Sequence, residues 1–242
     1  MGESEVYQSE FNLLAAVARE LKAPLVYQQT AAEYLRDHKV SRDVRDEYLK
    51  RISLSSERLL QLIDNLLLSQ RVLYGQVAMQ FEPVNLTVLI KDVLKEVEPR
   101  AVRLQHGIVP TSGLKGRDAL VVADRTILRS TFTTLVDLST LTSLPETELH
   151  VHMRRESGVA RVVLEDDGIV PGKRELTRAI QTLGTREQAF RSFAGVHGVG
   201  VRILQDLLKG LGGQFVIKRA RGRRVWELRL PLSTQLSMFG DV

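Results

Sequence analysis

Two apolar seams, set apart by a short polar break, constrain the first third of this chain more than any other feature. Phe11, Leu14, Ala18, Leu21, Leu25, Gln28, Ala32 and Leu35 recur in alternating steps of three and four, the spacing of one helix face packed along a supercoiled seam. Residues 36–40 interrupt the pattern, and Ser41 is placed to cap a second helix. The second seam runs through Tyr48, Ile52, Ser55, Leu59, Leu62, Leu66 and Ser69, and Leu60, Ile63 and Leu67 widen it. Two helices alone leave so broad a stripe wet, so the expected solution is a four-helix bundle made by two copies of the chain. Pro24, inside the first helix, lacks a backbone donor and predicts a kink.

Gly75 and residues 80–83 mark a boundary, giving domains of 1–78 and 79–242. Beyond it the pattern mixes both periods. Residues 84–97 and 125–141 have helical spacing, residues 120–123, 148–154 and 159–165 read as strands, and a long polar connection follows. Residues 199–211 read as a helix stopped by Gly212 and Gly213, and residues 214–218 and 225–230 as a closing antiparallel pair. The fold class is therefore α+β: a dimerising helical hairpin, then an α/β two-layer sandwich.

Composition narrows the function classes. The 242 residues contain no cysteine, which excludes disulfides and thiolate metal sites and fits a reducing, cytoplasmic setting. No apolar run has membrane-spanning length, and the N-terminal MGESEVYQSE lacks the order of a signal peptide. The net charge of +5 is mostly dispersed. Its one dense cluster, KRARGRR at residues 218–224, lies between two strands and reads as a solvated hairpin turn rather than a nucleic-acid footprint. His150 and His152 share one strand face without an evident third ligand, so no metal is expected there. His38 lies in the connection between the first two helices, and His106 and His197 complete the histidines.

The segment RELKAPL, residues 19–25, resembles the phosphoacceptor helix of sensor histidine kinases, which reads His-Glu-Leu-Lys/Arg-Thr-Pro-Leu. Arg19 stands where that family has its acceptor histidine, and Ala23 where it has the threonine that helps orient water for dephosphorylating a response regulator. Arg19 follows seam residue Ala18 and so falls on the flank of the bundle, as an acceptor must. A guanidinium stays protonated and has no lone pair free to attack phosphorus. Glu20, which the resemblance casts as the proton-transfer aid of that histidine, has no histidine to serve here; it equally suits a solvated helix residue paired with a nearby lysine or arginine.

The second segment resembles the ATP-binding domain shared by histidine kinases, the Hsp90 chaperone, MutL and gyrase. VVADRTILRSTFTTLVDLSTLT matches its strand, turn at Asp124 and long helix, but the family's Asn-Leu-Leu-x-Asn-Ala becomes Thr134, Leu135, Val136, Asp137, Leu138, Ser139. The second asparagine would hold Mg²⁺, and Leu138 offers no oxygen. Asp137 lies about 100° round the helix and does not replace it. In VVLEDDGIVPG the resemblance gives Asp166 and Gly168 as adenine-binding positions; an Asp-Asp-Gly after a strand is equally a turn signal. GVHGVGVRILQDLLKGLGG resembles the phosphate loop, with Gly198 and Gly200 retained and Val196 in place of a glycine.

These residues together imply a two-component signalling protein, dimeric and catalytically inactive, acting as adaptor or regulator of a response regulator or a partner histidine kinase. The alternative is an active histidine kinase or phosphotransfer protein with an unusual acceptor; a basic DNA-associated regulator on the same fold is a third reading. Weak binding of ATP or ADP without Mg²⁺ is the expectation for Asp166, Gly168, Gly198 and Gly200.

Overall fold

The computed structural model describes residues 3–112, 119–156, 158–170 and 198–232, with side chains of the first helix from Leu13 onward. The chain divides into two compact units, with one boundary along the sequence between Leu67 and Leu68.

The first unit is built from helices α1 (Glu3–Asp37) and α2 (Arg42–Leu73), the latter running across the boundary. The polar break falls where the sequence places it. Ser41 caps α2, its carbonyl accepting from Arg45 N at 3.0 Å and its hydroxyl from Val44 N at 3.4 Å. At the hairpin tip Tyr34 stacks on His38 with ring centroids 4.6 Å apart and meets Tyr48 at 5.2 Å. Helix α1 continues through Pro24. Leu14, Leu25, Leu60 and Leu67 are all more than half exposed in the single chain. An apolar surface of that kind on a helix calls for a partner.

The second unit is the two-layer sandwich. Strand β1 (Phe81–Asn85) pairs antiparallel with β3 (Leu120–Asp124). A five-stranded sheet is ordered β2-β4-β5-β7-β6, from β2 (Gly107–Ser112), β4 (Glu148–Glu156), β5 (Val159–Asp166), β6 (Gln214–Ala220) and β7 (Arg223–Pro231). Only the β2–β4 pairing is parallel. The apolar face alternates through Leu149, Val151 and Met153, then Ala160, Val162 and Leu164, then Trp226, Leu228 and Leu230, all buried. Helices α3 (Leu86–Arg103), α4 (Arg125–Thr142) and α5 (Gly198–Gly210) supply the facing layer with Leu89, Val93, Leu128, Leu135, Leu204 and Leu207.

Local signals explain the ends. Asp124 caps α4, accepting from Thr126 N at 2.9 Å and Ile127 N at 3.1 Å. Helix α5 ends on Gly212 at φ +68°, with Gly213 N donating to Leu208 O at 2.8 Å, the left-handed C-terminal cap read from the Gly-Gly pair. Strands β1 and β2 were not evident from alternation. Phe81 to Pro83 are exposed, and β2 contains Pro110, so neither carries a period-two apolar pattern.

Candidate functional site

In the first unit, the structure places Arg19 and Glu20 half-buried in the middle of α1, with Ala23 exposed one turn further on. The side-chain position that the resemblance assigns to a phosphoryl acceptor is thus a guanidinium, and the threonine position is a bare methyl.

In the second unit, α4 touches two of the candidate nucleotide positions through adjacent residues: Leu138 packs against Gly200, and the Ser139 hydroxyl donates to Asp166. Leu138 is 3% exposed and faces the first turn of α5. A Cβ on Gly200 would come within 2.6 Å of Leu138 Cδ2. Gly198 and Gly200 are buried residues inside α5. Gly200 therefore serves a close helix contact with Leu138, a role the sequence reading did not foresee. Asp137, the neighbouring carboxylate, points elsewhere and lies 3.4 Å from Arg100 Nη2 of α3.

Asp166 ends β5 with none of its surface exposed. Its Oδ1 accepts from Gly168 N at 2.7 Å and Arg224 Nε at 2.7 Å. Its Oδ2 accepts from Arg224 Nη2 at 3.0 Å, Trp226 Nε1 at 2.9 Å and the Ser139 hydroxyl. A carboxylate has about four lone-pair sites, and five internal donors occupy them. Arg224 is equally enclosed: Nη1 donates to Ile169 O at 3.3 Å, and the guanidinium lies 4.9 Å from the Trp226 ring centroid. A Cβ on Gly168 would overlap the Arg224 guanidinium itself.

The KRARGRR segment is the solvated hairpin turn read from the sequence over residues 218–222, and the correction falls on Arg224. The turn proper is Arg221 at φ +51° and Gly222 at φ +82°, a two-residue hairpin connection of the kind that matches sheet twist. Arg224, two residues later, is 0% exposed. The signal was available: β7 alternates, and Arg224 shares parity with Trp226, Leu228 and Leu230 on the inward face. Trp226 and Ser139 were also missed as parts of the site.

On the other sheet face, Glu227 is wholly buried beneath Lys218 at 2.6 Å, Arg229 at 2.8 Å and Arg161 at 3.5 Å. Burial opposes its charge, but the hydrogen bonds from Lys218 and Arg229 outweigh it and hold the carboxyl at about 2. His150 and His152 sit on that face beside Glu148 and Glu165, at 3.5 and 3.2 Å. No group of three metal-ligating side chains occurs among the described residues. Val196 and His197 lie outside the described residues. Within them, no helix is long and apolar enough to cross a membrane.

The chain thus runs from a helical hairpin into a two-layer unit with a five-stranded sheet. Residues 10–75 match the His Kinase A (phospho-acceptor) domain. The chain is 25% identical to the circadian input-output histidine kinase CikA of Synechococcus elongatus over 73% of its own length and 24% of that protein. It spans about a quarter of the length of the curated relatives it matches. In fold it is similar to the histidine kinase AdeS of Acinetobacter baumannii, with a TM-score of 0.60, 16% identity and coverage of 89% of this chain and 98% of that one. It is also similar to histidine kinase ThkA solved in complex with response regulator TrrA, at a TM-score of 0.64, 16% identity and coverage of 92% and 61%. The chain is histidine-kinase-like: it is similar to the sensor histidine kinase family by sequence in its phospho-acceptor region and by fold over most of its length.

Proposed function

We propose that this chain is a catalytically silent member of that family: a homodimeric signalling adaptor that regulates a response regulator or a partner histidine kinase. The observation that carries the reading is Arg19, a permanently protonated group in the acceptor position of an otherwise recognisable helix. Two further substitutions point the same way. Leu138 presents carbon where a Mg²⁺ ligand belongs, and it is packed against Gly200. Asp166 has its acceptor sites filled by the chain's own donors. The residues present therefore do not fit Mg-ATP.

The adaptor role is supported by what the chain keeps. The apolar stripe of Leu14, Leu25, Leu60, Ile63 and Leu67 remains for a second copy. ThkA was solved with a response regulator, and a hairpin of the same architecture offers such a protein the surface around Arg19 and Ala23. The test is incubation of the purified chain with γ-labelled Mg-ATP. No acid-labile label is expected; stoichiometric label on any side chain overturns the silent reading in favour of an active kinase with an unusual acceptor.

A further inference from the structure

The disagreement between the second unit's fold and a bound nucleotide has one physical centre, the Arg224 side chain. Burying a guanidinium completely is costly unless its charge and N–H groups are matched. Arg224 is matched on every side: two hydrogen bonds to Asp166, one to Ile169 O, and further contacts at 3.5 Å with Ser139 O and the Ser143 hydroxyl. It also occupies the volume that Gly168 leaves by having no side chain. An aminopurine brings a planar edge bearing N–H donors to a carboxylate. The guanidinium is likewise planar and presents two such donors in a fixed fork. It is covalently tethered, so it also avoids the entropy of association that a free ligand must overcome.

We propose that Arg224 is a built-in occupant of the adenine position, closing the pocket to nucleotides from within. This rests on the reading above, that the second unit keeps the fold of an ATP-binding domain without its turnover. It goes beyond that reading by naming one side chain as the block and an adenine nucleoside as the class of ligand it excludes. Shortening Arg224 leaves Asp166 with unused acceptor capacity beside a cavity walled by Gly168, Ser139 and Trp226.

The experiment compares the full chain with Arg224→Ser by calorimetry with adenosine and ADP. Trp226, the only tryptophan, reports in parallel, because it contacts both Arg224 and Asp166. The parent is expected to give neither heat nor a fluorescence change with millimolar adenosine. R224S is expected to bind at least ten-fold more tightly than the parent, without need of Mg²⁺, and to be competed by low guanidinium but not by equal urea. A folded R224S that binds no better than the parent overturns the proposal. So does a parent that binds adenosine with a Trp226 response, whatever the variant does. Should R224S not fold, Arg224→Gln, which keeps one N–H donor for Asp166, carries the same comparison. Nucleotide binding by the parent without phosphoryl transfer sinks the block alone, whereas transfer sinks the silent reading.

Discussion

Arg224 and Asp166 stand directly opposite each other across the β5–β7 ladder, and neither side chain exposes any surface. The pair joins the start of β7 to the end of β5, the position that the sequence resemblance assigns to adenine. A buried ion pair is poor evidence of net stabilisation, since desolvation offsets much of the attraction. Its removal by halves is another matter. Asp166→Ala leaves an uncompensated guanidinium in the core and is expected to cost about 3–5 kcal/mol. Replacing Asp166 by Leu and Arg224 by Met together is expected to cost clearly less than the sum of the single changes. Urea titration of the four proteins in a double-mutant cycle reads the coupling; additive costs would show the pair to be incidental.

Gly200 and Leu138 give a second test. Gly200→Ala places a methyl against the Leu138 side chain. Overpacking of a tight helix contact costs roughly 1–3 kcal/mol. Adding Leu138→Ala should return part of that loss by vacating the space, which thermal unfolding can follow. If G200A is instead neutral, the α4–α5 contact is looser than described.

The charge cluster on the outer sheet face predicts acid sensitivity. Glu227 is held at about 2 in the folded chain against an ordinary 4.5. A depressed folded pKa means that its contribution is complete above about 4.5 and fades as pH falls towards about 2. A difference of that size corresponds to roughly 3 kcal/mol at most. Glu227→Gln should therefore lower stability at neutral pH and flatten the decline between those limits. Urea midpoints measured across pH 2 to 6 decide it; an unchanged slope in E227Q assigns the acid sensitivity to other carboxylates.

What the sequence disclosed, and what it hid, follows from the range over which each signal acts. The break at residues 36–40, the Asp124 cap and the Gly212–Gly213 stop are local, set by residues within one turn of where they act. The second unit's helices and central strands follow from periodicity, whereas the residues at kinase-motif positions came only from the resemblance to that family. Strands β1 and β2 did not, because an edge position and a proline erase the alternation. Arg224 was hidden for a different reason: a run of basic residues suggests solvent, and only the parity of β7 separates the inward arginine from its neighbours. Its partner lies 58 residues earlier in the chain. Gly200's contact with Leu138 is equally long-range and invisible to any local rule.

The apolar stripe on the hairpin makes a mass prediction. The chain is expected to run as a dimer in light scattering. Leu60→Glu with Leu67→Glu should yield monomers that retain the sandwich, because both residues are more than half exposed in the single chain. Charge on a solvent-facing position of one chain costs little on its own; charge in a bundle seam disrupts association. A parent that is monomeric at micromolar concentration removes the dimer from the proposal.

Arg19→His restores the acceptor residue and leaves the second unit untouched. The imidazole would have a lone pair for attack, and Glu20 follows it directly. Transfer nevertheless needs a nucleotide held with its metal, and in the proposed reading Leu138 and Arg224 occupy those positions. R19H is therefore expected to stay unlabelled after incubation with γ-labelled Mg-ATP. Acid-labile label on R19H would show that the second unit still delivers a phosphoryl group. The block at Arg224 would then be wrong, and the lost function would shrink to the single missing acceptor at position 19.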